Sequence, residues 1–191
     1  GEEATEGILT GVTDKVAVAL VAVELVKQAL SEQSTQNTEL LNQLKEKSLI
    51  KYALVTGGSR GIGKDICIEL SRELGYSILI NYNKNKSEAL NTLKEIESIG
   101  GKGEIIQFDV SSSKEVINGF EKWHSKNNDS IIEVLVNNAG IKKDSLFMWM
   151  KKNEWDDVIN ISLNGFFNVT NYLIRKMLIN RYGRIINIVS L

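Results

Sequence analysis

Proline is absent from all 191 residues. At an average usage of about 5% several would be expected, so the chain is read as omitting proline-bearing loops of a longer protein. Cysteine is nearly absent: Cys67 stands alone, which excludes an internal disulfide and fits a reducing compartment. It sits among Ile66, Ile68 and Leu70, where a thiol serves as apolar filler. His124 is the single histidine. It follows Trp123 in a polar stretch and is expected at the surface, and no metal-ligand set is found. No apolar run reaches the ~18–20 residues of a membrane-spanning helix. The longest, "VAVALVAV" at 16–23, is followed by Glu24 and Lys27, and no basic leader precedes it. The net charge of −1 is too small for a field that draws nucleic acid or a membrane. The expectation is a cytoplasmic protein without nucleic-acid or membrane partners. Its 42% hydrophobic and 25% charged residues place it among ordinary globular chains.

What is present divides into two parts. Residues 1–50 carry eight acids and four lysines, a net of −4, which leaves +3 for residues 51–191. Thr13 or Asp14 can cap a helix running to about Leu30, with Glu24, Lys27, Gln28 and Ser31 on a narrow polar stripe. A helix so broadly apolar needs a partner surface. The alternation Val16, Val18, Leu20 equally permits a strand. "SEQSTQNT" (31–38) reads as a polar linker, and "ELLNQLKEK" (39–47) as a short helix with Leu40, Leu41 and Leu44 on one face. This N-terminal part carries no chemical motif and reads as a helical appendage or fusion segment.

From Lys51 the pattern turns to alternating strands and helices. Strands are predicted at 52–56, 77–82, 103–110, 131–140 and 183–191. Helices are predicted at 62–74, 87–100, 111–126 and, as one long element, 153–180. Such alternation means a parallel sheet covered on both faces. Right-handed crossovers then give an α/β, doubly wound, Rossmann-type fold. Between the first strand and its helix stands "VTGGSRGIG" (55–63). A dinucleotide pyrophosphate needs backbone N–H groups and a helix amino end brought close, which side chains would block. Gly57, Gly61 and Gly63 stand where the chain must turn tightly and admit a phosphate. An acid at the end of the second strand would accept from a free ribose 2′-hydroxyl and repel a 2′-phosphate. That end reads Asn81-Tyr82-Asn83 without an acid, and Lys84 follows. Arg60 stands in the loop where a guanidinium can grip a 2′-phosphate. Both features favour NADP as cofactor.

"TGGSRGIG" (56–63), "DV" (109–110), "NNAG" (137–140) and "RIINIVS" (184–190), in this order, resemble the classical short-chain dehydrogenase/reductases. "NNAGIKKDSLFMWMKKNEWDDVI" and "NRYGRIINIVS" are most similar to the 3-oxoacyl-acyl-carrier-protein reductase branch. The resemblance covers residues 51–191 and implies the N-terminal two thirds of such a domain, incomplete at its C-terminal side. It implies that Gly57, Ser59, Gly61, Ile62 and Gly63 hold pyrophosphate and ribose, beside Arg60 and the strand end Asn81-Tyr82. Asp109 and Val110 would meet the adenine; Asn138, Ala139 and Gly140 would line the nicotinamide-side ribose. Ser190 would hydrogen-bond the substrate carbonyl. The implied activity is NADPH-dependent reduction of an acyl-carrier-protein-linked 3-oxoacyl thioester, with a homo-oligomer for the full-length protein.

The sequence departs from the family pattern in two places. The family's Tyr-x-x-x-Lys motif lies beyond the serine, and no match follows Ser190. Tyr172 and Lys176 have the spacing but precede the serine inside the long helix, and are read as coincidence. Without the motif the 191-residue chain is expected to bind without catalysing, or to act as an interaction module carrying a reductase-derived domain. Ser162 stands where the family's long helix carries a water-holding asparagine, flanked by Asn160 and Asn164. Arg181 matches a carrier-protein docking position of the reductase branch, and Lys142, Lys143 and Lys151 are placed on a loop beside the same cleft.

Overall fold

A computed structural model describes residues 27, 28, 30–40, 49–144 and 146–189. The chain divides into two compact units, Gly1–Ser48 and Leu49–Leu191. In the first unit residues 30–40 are helical and exposed, so the polar linker expected at 31–38 is a helix. Its side chains bond along the axis instead of competing with it. The Thr35 and Thr38 hydroxyls donate to the Ser31 and Ser34 carbonyls at 3.0 and 2.8 Å, and Gln28 Nε2 donates to Glu32 Oε1 at 3.2 Å. The apolar segment of 13–26 and most of the helix expected at 39–47 lie outside the described residues.

The second unit holds five strands: β1 (Ile50–Val55), β2 (Ser77–Tyr82), β3 (Gly103–Gln107), β4 (Ser130–Asn137) and β5 (Arg184–Asn187). They form one parallel sheet in the order β3-β2-β1-β4-β5. Helices α1 (Gly61–Leu74), α2 (Lys86–Ser98), α3 (Ser113–His124), α4 (Lys152–Ile159) and α5 (Gly165–Ile179) accompany the strands. The alternation along β1 decides how the faces are covered. Tyr52 and Leu54 enter a core with Phe108, Phe120, Val169 and Leu173, which belong to the α3 and α5 side. Ala53 and Val55 enter a second core with Cys67, Ala89 and Ile96, which belong to the α1 and α2 side. Strands buried on both faces define the doubly wound arrangement. Cys67 is fully buried, and burial pushes its thiol pKa up to about 12, as befits filler.

Three sequence expectations are corrected. The long helix of 153–180 is interrupted: Asn160–Asn164 form a π turn between α4 and α5. The Gly165 N–H reaches back to the Asn160 carbonyl, and Asn164 Nδ2 bonds Asn160 Oδ1 at 2.7 Å. Gly165 lies against Val110, where a Cβ would stand 2.6 Å from Cγ2. That close approach, which periodicity does not reveal, accompanies the local change of winding. A short 3-10 turn, Phe147–Trp149, precedes α4 where only loop was expected.

The third correction concerns His124, which is half-buried rather than on the surface. It ends α3 one turn beyond Phe120, stacks with Tyr172 at 6.3 Å and meets the Trp123 ring at 4.9 Å. Its Nε2 is buried without a hydrogen-bond partner among the described residues. Burial, with Lys176 nearby, pushes its pKa down to about 4. The folded imidazole resists a proton that the unfolded one accepts near pH 6.5, so stability is lost as pH falls from about 6.5 towards 4. The urea midpoint of the chain should decline over this window, and His124→Phe should flatten that part of the decline. An equal decline in both proteins would place the titration elsewhere.

Candidate nucleotide cleft

The strand order turns from β2 to β4 around β1, so the carboxyl ends of β1 and β4 border the crevice where open parallel sheets bind ligands. After Val55 the chain turns through Gly57, whose φ of +63° suits glycine. It then enters α1 at Gly61, with Arg60 extended at the N-cap and without a side-chain cap bond. The amino end of a 14-residue helix thus stands at the crevice without a side-chain cap. Gly63 is buried, and a Cβ there would lie 2.4 Å from the Gly57 oxygen and 2.5 Å from Asn138 Nδ2. Glycine is required at Gly63 by crowding rather than by dihedral freedom.

Thr56 ties the two strand ends together. Its buried hydroxyl oxygen accepts from the Asn138 and Ala139 N–H groups at 2.9 and 3.0 Å and donates to the Val136 carbonyl at 3.3 Å. Asn138 Nδ2 donates back to the Thr56 and Gly57 carbonyls at 3.0 and 3.4 Å. The loop Asn138-Ala139-Gly140 is thereby pinned beside the glycine turn. Thr56 stands inside the quoted motif, but its role is not legible there, because nothing in one sequence says that its hydroxyl has two backbone donors within reach.

Asn81 and Tyr82, expected to meet the cofactor, have buried side chains. Asn81 is 2% exposed; its Oδ1 accepts from the Gly57 N–H at 3.2 Å and its Nδ2 donates to the Phe108 carbonyl at 3.1 Å. Tyr82 belongs to the α1/α2-side core. What the end of β2 exposes is Asn83 and Lys84, and Asn83 Nδ2 donates to Asp109 Oδ2 at 2.8 Å. Asp109 also accepts from the Ser111 N–H and hydroxyl at 2.9 and 2.6 Å. Burial alone would raise its pKa. The bonds from Ser111 and Asn83, with Lys84 near, outweigh burial and hold the carboxyl below its ordinary value. Val110 is buried, and its carbonyl accepts from Asn168 Nδ2 at 2.9 Å.

Arg60, Gly61, Ile62 and Gly140 are exposed at this end of the sheet, and Ser59 is half-buried, its carbonyl accepting from Thr92 Oγ1 at 2.9 Å. Ser162 is exposed within the π turn. Ser190 lies outside the described residues, so no distance joins the two expected catalytic serines. Tyr172 stacks on Phe120 at 4.5 Å, with Lys176 Nζ 5.4 Å from its ring centroid. Burial raises the Tyr172 pKa and lowers that of Lys176. Tyr172 packs α5 against α3 through Phe120, and Lys176 covers its ring from one turn further along α5. Lys142 pairs with Asp144 at 2.7 Å and Lys143 with Asp157 at 3.9 Å; Arg181 is exposed at φ +55°. Among the described residues no group of three His, Cys, Asp or Glu side chains is placed to hold a metal ion, and no helix is long and apolar enough to cross a membrane.

A parallel sheet wound on both sides, with a glycine turn opening a helix at its carboxyl edge, defines a dinucleotide-binding fold. The family model for short chain dehydrogenases matches residues 51–191, and the chain belongs to that family. It is 43% identical over 141 residues to a 3-oxoacyl-[acyl-carrier-protein] reductase of Staphylococcus epidermidis, with 74% of this chain and 57% of that protein covered. Two solved structures superpose well. A gluconate 5-dehydrogenase from Burkholderia cenocepacia, in complex with NADP and tartrate, gives a TM-score of 0.66 at 31% identity, over 73% of this chain and 53% of that one. A metagenomic short-chain oxidoreductase in complex with NADP gives 0.68 at 30% identity, over 75% and 64%. The chain spans a little over half the length of the curated relative it matches.

Proposed function

We propose that the protein reduces a 3-oxoacyl thioester with NADPH, and that residues 51–191 supply the cofactor cleft. The observation that carries this is the packing of the glycine turn: the space a Cβ at Gly63 would need is taken by the Gly57 oxygen and Asn138 Nδ2, so the first turn of α1 sits tight against the ends of β1 and β4. Those features fit a nucleotide diphosphate, which takes N–H donors and a helix amino end in place of water. Gly57, Ser59, Gly61, Ile62 and Gly63 would cradle the diphosphate. Arg60 would meet a 2′-phosphate, and Lys84 is exposed at the end of β2. Asp109 and Val110 would border the adenine, and Asn138, Ala139 and Gly140 the nicotinamide-side ribose. Asn81 and Tyr82 serve this site from within, Asn81 by holding the Gly57 N–H. The bound cofactor would supply the hydride. Ser190 would orient the substrate carbonyl, and Ser162, exposed in the π turn, would hold a water.

The substrate class rests on the likeness to the reductase of S. epidermidis. The carrier-protein partner rests on the exposed Arg181 beside that likeness, and the homo-oligomer on apolar residues exposed along α5, such as Phe167 and Leu178. Residues 1–50 are proposed as a separate appendage. A full-length protein should oxidise NADPH with acetoacetyl thioesters. Turnover of gluconate or steroids with none of the thioester would overturn the substrate class. Replacing Arg60 by alanine should weaken NADPH by roughly 10–100-fold, the scale of a charge-assisted contact, and leave NADH nearly unchanged. Competition binding of the two nucleotides to the chain measures this; equal losses would make Arg60 a loop residue with no part in cofactor choice.

A further inference from the structure

Beyond Phe108 the chain leaves the sheet, and Asp109, Val110 and Ser111 form a short loop before α3. Local bonds fix its shape. The Asp109 N–H donates to Glu115 Oε2 at 3.0 Å, and the Ser112 N–H donates to the Asp109 carbonyl at 3.1 Å. Ser111 donates to Asp109 Oδ1 through both its N–H and its hydroxyl. All these partners lie within residues 109–115, so none of them sets where the loop stands against the sheet. Two bonds come from elsewhere. Asn83 Nδ2 reaches Asp109 Oδ2 from the end of β2 at 2.8 Å, and Asn168 Nδ2 reaches the Val110 carbonyl from α5 at 2.9 Å. Asn83 is exposed, whereas Asn168 is half-buried and Val110 is buried.

α5 is a firm post for such a bond, because its Val169, Leu173 and Met177 are buried in the core it shares with β1 and α3. Gly165 and Asn168 are three residues apart and therefore share a face of the helix. Both meet the same residue. Gly165 lets the helix backbone approach the Val110 side chain, where a Cβ would stand 2.6 Å from Cγ2, and Asn168 then bonds the Val110 carbonyl. What the loop presents to the cleft is Asp109. A carboxylate offers about four acceptor positions on its two oxygens. The Ser111 N–H and hydroxyl occupy those of Oδ1, and Asn83 occupies one on Oδ2. The position left on Oδ2 complements an exocyclic amine, and it serves only at hydrogen-bond distance and angle.

We infer that Asn168 is a positioning residue for adenine recognition: by holding the Val110 carbonyl it sets, from α5, where the Asp109 carboxylate stands to accept from the adenine amine. This role rests on the dinucleotide reading of the cleft and adds to it a residue that acts through Val110 rather than on the ligand.

The 191-residue chain and three variants, Asn168→Asp, Asn168→Leu and Gly165→Ala, are titrated by calorimetry with NADPH and with its hypoxanthine analogue, in which a carbonyl replaces the adenine amine. Circular dichroism first confirms that each protein is folded. Asn168→Asp keeps the shape of the side chain but at neutral pH has no proton to donate. The unaltered chain should prefer NADPH over the analogue by roughly 2–10-fold, the scale of one hydrogen bond. Both Asn168 variants should weaken NADPH by a similar factor and leave the analogue nearly unchanged, so that the preference falls towards one. Gly165→Ala, which moves α5 off Val110 while keeping Asn168, should lower the preference in the same direction. A preference kept in all the variants makes Asn168 a purely structural residue and overturns the inference, even where the affinity for NADPH falls. Equal binding of both nucleotides by the unaltered chain also overturns it, because Asp109 then meets no amine. Binding of neither nucleotide by the unaltered chain overturns the dinucleotide reading itself, and the role of Asn168 with it.

Discussion

Replacing Gly63 by valine should both unfold the nucleotide-binding unit more easily and abolish dinucleotide binding. The expected loss is about 3 kcal/mol or more, the upper end of overpacking costs. The reason is where the neighbours are fixed. The Gly57 oxygen and Asn138 Nδ2, 2.4 and 2.5 Å from the added Cβ, cannot step aside cheaply. Gly57 is held through its N–H by Asn81, and Asn138 is held to the Thr56 carbonyl. Relief requires α1 to move away from the ends of β1 and β4, which removes the diphosphate cradle. Gly61 provides the control. It has φ +54° but no atom within 4 Å of an added Cβ, so Gly61→Ala should cost only the left-handed strain, about 1–2 kcal/mol. Urea midpoints and an NADPH titration of both variants measure the contrast. A Gly63 variant no worse than Gly61→Ala would remove the steric account.

Thr56→Val should be the next most damaging change, although it conserves shape. Thr56 is 2% exposed, and its oxygen accepts two backbone N–H groups, those of Asn138 and Ala139. A valine methyl accepts neither. Each partly buried donor left without a partner costs about 1–3 kcal/mol, so roughly 2–4 kcal/mol is expected for the pair. Thr56→Ser, which keeps the oxygen, should recover most of this. Hydrogen exchange reads the same bond directly: the Asn138 and Ala139 amides should lose protection in Thr56→Val and keep it in Thr56→Ser. Unchanged protection in both would show that another group holds this loop.

The layers of the fold were legible because burial on both faces writes itself into short apolar strands. "SILINY" coincides with β2, and "IGKDICIELSREL" with α1 but for its first glycine. The glycine turn was legible because tight turning demands glycine, and Gly57 and Gly61 have φ of +63° and +54°. What escaped was set by tertiary neighbours. Asn81 stands near the end of a strand where a cofactor is expected, but its amide is bonded by backbone groups of two segments, the Gly57 turn and residues 106–108. The π turn ends where Gly165 rests against Val110, a contact 55 residues apart that no local pattern shows. His124 sits in polar sequence, yet α3 turns it towards Tyr172 of α5. Thr56 escaped for the same cause: its value lies in donors just beyond β4, not in its own surroundings.

We propose that residues 51–191 form a cleft for a nicotinamide dinucleotide that prefers a 2′-phosphate. Calorimetric titration of the 191-residue chain with NADPH and with NADH, in the same buffer, tests it most directly. NADPH should bind saturably at one site per chain, NADH more weakly by roughly 10–100-fold as one charged contact allows, and Gly63→Val should lose both. Binding of NADH as tight as NADPH, or NADPH affinity unaffected by valine at Gly63, would contradict it.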